Sequence, residues 1–176
     1  MAPDPTTFDR AFKFVICGAK EVGKKTLLRS FCTEGDDENI WTTLNVDEEK
    51  VLVEATVSEK WEEGREKEFD GVVLVFSTTD VRSFEYTLEI LNEIQKTAEK
   101  KHLVFIENKM DLVEQTQMDK DLVEGELKKR HKRLYRVSAT EEFMVMHPFA
   151  YLIEKLTRHK KDENQNESVS ENSLRL

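Results

Sequence analysis

Short apolar runs alternate along this chain with stretches whose apolar residues recur at helical spacing. Phe14-Val15-Ile16-Cys17 reads as a short buried strand, and Leu27, Leu28 and Phe31 open a helix face after it. Ile40–Val46 carries β-favouring residues, Asp47 to Lys50 turns it back, and Val51–Val57 is its expected antiparallel partner. Gly71–Phe76 (GVVLVF) is continuously apolar, as a strand covered on both faces should be. Asp80, with Ser83 as the other candidate, caps a helix striped by Phe84, Leu88, Leu91 and Ile94. Leu103–Ile106 predicts another buried strand. Met118, Leu122 and Leu127 predict a helix with Gly125 inside it, and Leu134–Val137 a last strand. Phe149, Leu152, Ile153 and Leu156 stripe a final helix, with Pro148 in its first turn, where a missing N–H costs little.

Strands alternating with helices predict an α/β layer fold with right-handed crossovers. The expected organisation is a flexible lead over 1–11, one domain over 12–159 and a disordered polar tail over 160–176, rich in Asp, Glu, Asn, Gln and Ser. Thr33–Glu38 is expected to be loop, and Ser58–Glu68 a solvated connector with little fixed structure.

The 176 residues suit one domain with a normal core. A net charge of −9 argues against a general binder of nucleic acid or anionic membrane. Cys17 and Cys32 fit a reduced, cytoplasmic protein. The start lacks an apolar signal core, Ala2 breaks the myristoylation pattern, and the last four residues hold no cysteine to prenylate. No lipid anchor is expected.

Gly18-x₄-Gly23-Lys24 falls between a predicted strand and a predicted helix, the setting in which a phosphate-binding loop has meaning. Backbone N–H groups from Gly18 to Val22 and Gly23 would approach phosphate oxygens, and Lys24 would reach the terminal phosphates. The pattern wants Ser or Thr next, to hold magnesium. Lys25 stands there instead, and Thr26 comes one residue late. Asn108-Lys109-x-Asp111 follows a buried strand. Its carboxylate can accept two hydrogen bonds from guanine that adenine does not offer, a discrimination on the order of 10⁴ in comparable cases. Asn108 would brace neighbouring loops, and the Lys109 stem would pack on the base plane. Alone, the first motif reads equally as a plain glycine-bearing turn and the second more readily as a chance loop tetrapeptide; in this order, with Ser138-Ala139-Thr140 after the last strand, they point to a guanine nucleotide.

These three motifs resemble those of the Ras-type small GTPases. VICGAKEVGKKTLL, DGVVLVFSTTDVRSFE and HPFAYLIEKLT are similar to the κB-Ras group, Ras-like proteins that interact with inhibitors of NF-κB. The likeness spans roughly residues 12–158 and is weakest over 33–68. It implies a P-loop G domain with a mixed six-stranded sheet, helices on both faces and a shortened second switch. It implies GTP or GDP as ligand, held by Gly18, Val22, Gly23, Lys24, Lys25, Thr26, Asn108, Lys109, Asp111, Ser138 and Ala139. It also implies partners: the GTPase-activating complex for Ral first, an NF-κB inhibitor second.

The departures point away from catalysis. Ala55-Thr56-Val57-Ser58 stands where the family has Asp-x-x-Gly, so Ala55 offers no oxygen to magnesium and Ser58 replaces the γ-phosphate-sensing glycine. Lys20 and Glu21 replace two Ras glycines, and 59–68 holds no glutamine to orient water. A Mg²⁺ site is therefore not expected, and no catalytic residue is assigned. The expectation is an adaptor-like pseudoGTPase; the alternative is a slow but genuine GTPase switch that uses waters in place of the lost metal ligands, while Thr43 fits a plain strand better than a first-switch threonine. Trp41 and Trp61 are candidate interface residues, Trp61 because little core is expected nearby. Lys128–Arg133 reads as a solvated helix end rather than an import patch.

Overall fold

The computed structural model describes residues 4–32, 34–35, 40–97 and 100–173. Its strands are β1 (Arg10–Cys17), β2 (Glu34–Gly35), β3 (Ile40–Val46), β4 (Glu49–Ser58), β5 (Gly71–Ser77), β6 (His102–Asn108) and β7 (Leu134–Arg136). The helices are α1 (Lys24–Phe31), α2 (Val81–Thr97), α3 (Lys120–Lys129) and α4 (Met146–Ser173). The sheet order is β2-β3-β4-β1-β5-β6-β7. β4, β1, β5, β6 and β7 run parallel, while β3 and β2 are antiparallel additions at one edge.

The period-two alternation of the central strands sorts them onto two cores. Phe12, Phe14 and Ile16 of β1 and Val73 and Val75 of β5 pack with Leu27 and Phe31 of α1 and Phe149, Leu152 and Ile153 of α4. Val15, Cys17, Val72, Leu74 and Phe76 point the other way, onto Phe84, Ile90, Leu91 and Ile94 of α2 and Val123 and Leu127 of α3. Every residue of β5 is buried, as its unbroken apolar run predicts. The Phe31 and Phe149 rings stack at 3.8 Å between centroids and lock the helix after β1 to the last helix.

The β3–β4 hairpin turns on Asp47 and Glu48, both at positive φ, the backbone of a two-residue primed turn. Asp80 precedes α2 and its carboxylate accepts from the Arg82 N–H. Asp119 caps α3 through the Asp121 and Leu122 N–H groups.

The sheet has seven strands, not six. Glu34 and Gly35, inside the expected loop, pair with Trp41 and Ile40 through backbone groups alone, so no apolar pattern marks them. Residues 33 and 36–38 of that loop lie outside the described residues. Two residues of the expected flexible lead start β1, paired with Val51 and Leu52, and Pro5–Thr7 forms a 3₁₀ turn capped by Asp4. Leu122 is 60% exposed because α3 starts at Lys120 and turns Val123 and Leu127 inward instead. α4 runs on to Ser173 through the expected tail: Lys160 to Ser173 contains neither Gly nor Pro, and extending a nucleated helix costs far less than starting one.

The connector after β4 is also more ordered than expected. Trp61 is only 6% exposed, packed in the α2-side core with Phe69, and its Nε1–H donates to Thr97 Oγ1 at 2.9 Å. Arg65 pairs with Glu62 and Glu68 around a 3₁₀ turn at Glu66–Glu68. Among the described residues no helix is long and apolar enough to cross a membrane.

Phe149→Ala should cost about 3–5 kcal/mol, since it empties a site between two stacked rings and the sheet. Gly125→Ala should gain about 0.5–1 kcal/mol, because a Cβ there meets nothing within 4 Å. Urea unfolding of the two variants beside wild type checks both signs.

Candidate functional site

The candidate site forms at the carboxyl ends of the parallel strands, where β1 gives way to α1 and the connections on its two sides leave for opposite faces. The loop from Gly18 to Gly23 crosses this edge. Gly18 has φ 157° and passes so close to β5 that a Cβ would lie 2.2 Å from the Val75 carbonyl oxygen. Gly23, at φ 92°, is the N-cap of α1, and a Cβ on it would lie 2.4 Å from Asn108 Nδ2. Both glycines are thus demanded by close approach. No side chain caps the α1 N-terminus and no acidic residue occupies its first turn, so its positive end is open.

Asn108 ties the three motifs together. Its Nδ2–H donates to the Val22 carbonyl at 2.9 Å, and its Oδ1 accepts from the Ala139 N–H at 3.0 Å. Ser138 Oγ donates to Asp111 Oδ1 at 2.6 Å and fixes that carboxylate. Asp111 Oδ2 has no hydrogen-bond partner among the described residues and remains available to a ligand. Lys109 adopts the left-handed conformation that turns β6 sharply into the 3₁₀ segment at Met110–Gln115. Ser30 Oγ of α1 lies 2.9 Å from the Ala139 carbonyl, a second link between the first loop and the third.

On the other side lies a cavity of about 400 Å³, lined by Lys20, Glu21, Gly23, Lys24, Lys25, Thr26, Val57, Ser58 and Glu59. Lys24 Nζ donates to the Gly18 and Ala19 carbonyls at 2.7 and 2.5 Å, so its ammonium is folded back over its own loop. Burial pulls its pKa below the ordinary lysine value, with Glu59 and the Cys17 thiol opposing the shift. The Cys17 thiol itself is pushed up to about 12 by burial, with Lys24 opposing, and is chemically quiet. Lys25 and Thr26 are exposed at the cavity.

The structure corrects which residues of β4 face this cavity. The expectation set Ala55 at the carboxylate position. Ala55 is 2% exposed and packs in the α1-side core, opposite Phe14 in the parallel register. The register instead brings Ser58 beside Cys17, so Val57, Ser58 and Glu59 form the wall. Ser58 Oγ donates to the Lys60 carbonyl, and Glu59 lies 3.8 Å from Lys20 Nζ. Glu59 was missed because only the strand register carries that information.

The other candidates fall outside this constellation. Thr43 pairs with Leu52 within the hairpin, away from the cavity. Trp41 is 8% exposed and Trp61 belongs to the core, which leaves neither indole as an exposed anchor. In the basic run, Lys129 and Arg130 pair with Glu126, and Arg133 lies over the Tyr135 and Tyr151 rings.

The Ras family profile matches residues 13–158. The chain is 30% identical over 165 residues to mouse NF-kappa-B inhibitor-interacting Ras-like protein 1, covering 83% of this chain and 86% of that protein. It is 36% identical over 91 residues to the human NF-kappa-B inhibitor-interacting Ras-like protein 2, about half of each chain (51% and 48%). Mouse Ras-related protein Rab-7b is 28% identical over 159 residues, covering 80% and 79%.

Asn108→Ala strands two buried backbone groups, on Val22 and Ala139, and should cost roughly 2–4 kcal/mol. Chemical denaturation checks this, and a loss below about 1 kcal/mol would mean that water replaces both bonds.

Proposed function

The chain belongs to the Ras family, and on that premise we propose that it binds guanine nucleotide and works by holding protein partners rather than by turning the nucleotide over. One observation carries the reading. Asn108, Asp111 and Ser138 sit in one hydrogen-bonded set, which supports a base-reading role, while the residues lining the neighbouring cavity depart from what hydrolysis needs. Hydrolysis in this family rests mainly on metal and water positioning. Here the side chains of Lys20 and Glu21 stand in the phosphate loop, Ser58 and Glu59 form the opposing wall, and 59–68 offers no glutamine.

Gly18, Val22, Gly23, Lys24, Lys25 and Thr26 take the phosphates in this reading, and Asn108, Lys109, Asp111, Ser138 and Ala139 the base. The free Asp111 Oδ2 and the tied Oδ1 together meet the N1–H and N2–H₂ edge of guanine. The partner is a protein: the GTPase-activating complex for Ral, with this chain as accessory subunit, or an inhibitor of NF-κB, the class that its relatives' names carry. A domain with little turnover does not signal by its own nucleotide cycle, and a stable interface suits it better. The protein works in the cytoplasm and reaches membranes through that partner.

Asp111→Asn should exchange guanine for xanthine preference, since an amide donates to the xanthine 2-oxygen where the carboxylate accepted from guanine. Displacement of labelled GDP and XDP reads the switch, and unaltered preference would remove Asp111 from the base site. Capture of the two partner classes by GDP-loaded and GTP-loaded protein should be equal. A state-dependent difference above about tenfold would identify a genuine switch.

A further inference from the structure

We infer that the phosphate cavity takes its nucleotide as a metal-free anion, with the Lys25 ammonium supplying the charge that a divalent cation supplies in other phosphate-binding loops. This rests on the guanine-nucleotide reading above and adds the form of the ligand.

The fit of magnesium can be judged from the donors around the cavity. Mg²⁺ asks for hard oxygens in near-octahedral array, commonly one or two carboxylates with waters and phosphates. The position after Lys24 normally gives a hydroxyl; here it is a cation, exposed at the cavity and without an ion-pair partner among the described residues. Three ammonium groups, on Lys20, Lys24 and Lys25, share one cavity with the open positive end of α1. The Ser58 hydroxyl is bonded within its own connector, donating to the Lys60 carbonyl and accepting from the Lys60 N–H at 3.4 Å. Glu59, the carboxylate on the β4 wall, pairs with Lys20, and the Glu21 carboxylate and Thr26 hydroxyl are the other side-chain oxygens on the lining, set against the three ammonium groups. These residues do not fit a magnesium ion. They fit the phosphates themselves.

The same geometry assigns opposite roles to two side chains. Lys25 reaches a phosphate that Lys24, once released from the Gly18 and Ala19 carbonyls, shares with it. Glu59 competes with that phosphate for Lys20 across the cavity mouth, so it weakens nucleotide binding rather than supporting it through a metal. Magnesium in free solution screens the phosphates and competes with the lysines.

Titration of fluorescent GDP and GTP into the full chain, in EDTA and in millimolar Mg²⁺, tests this with Lys25→Met and Glu59→Gln as variants. Wild-type affinity should be equal in the two buffers or weaker in magnesium. Lys25→Met should lose about tenfold or more in EDTA, the value of one charge-assisted contact, while its unliganded melting temperature stays at the wild-type value. Glu59→Gln should bind as tightly as wild type or more tightly. If magnesium tightens wild-type binding about tenfold or more and Glu59→Gln abolishes that gain, Glu59 is a metal ligand and the inference is overturned with nucleotide binding intact. Absence of binding in both buffers overturns the inference together with the nucleotide reading beneath it.

Discussion

One side-chain amide holds this site together. Asn108 leaves the end of β6, presses against the α-carbon of Gly23, and joins the Val22 carbonyl to the Ala139 N–H. All three groups are deep in the protein, so each bond is expensive to leave unmade. Gly23 is glycine because the amide lies against it. Val22 is held at a fixed height because its carbonyl is claimed. Ser138 follows Val137, whose N–H is tied to Glu107, and so arrives within reach of Asp111. The base-side geometry is a consequence of where one amide sits.

The phosphate side obeys a different constraint, that of charge. Lys24, partly buried, bonds to the carbonyls of its own loop. Lys20 pairs loosely with Glu59, both well exposed, so this contact is worth little in stability and is easily exchanged for an anion. Lys25 has no such partner among the described residues. On the proposed reading, a rigid base clamp beside a set of exchangeable cations makes a domain that recognises its nucleotide firmly while handling phosphate by electrostatics.

Much of this was legible in the sequence, and for identifiable reasons. β1, β5 and β6 are buried on both faces, so their apolar runs are unambiguous, and the motifs sit at the strand ends that the fold uses. Legibility fails where register or tertiary contact decides. β2 is two residues paired through backbone alone. Trp61 lies in a run of charge, yet α2 and Phe69 give it a core that no local pattern announces. Ala55 was matched by spacing to a metal-binding position, but the hairpin and the β1 pairing move the cavity wall on to Val57, Ser58 and Glu59. Side-chain composition past Lys160 says disorder, whereas the chain continues a helix already begun.

The most direct measurement is the nucleotide content of the purified protein. The full chain is dialysed against EDTA, denatured, and the released small molecules are separated by chromatography and quantified against protein. Near-stoichiometric guanine nucleotide surviving the chelator is the result this account predicts. No nucleotide, or one carrying a base other than guanine, would contradict it and leave the Asn108 clamp as a loop brace alone.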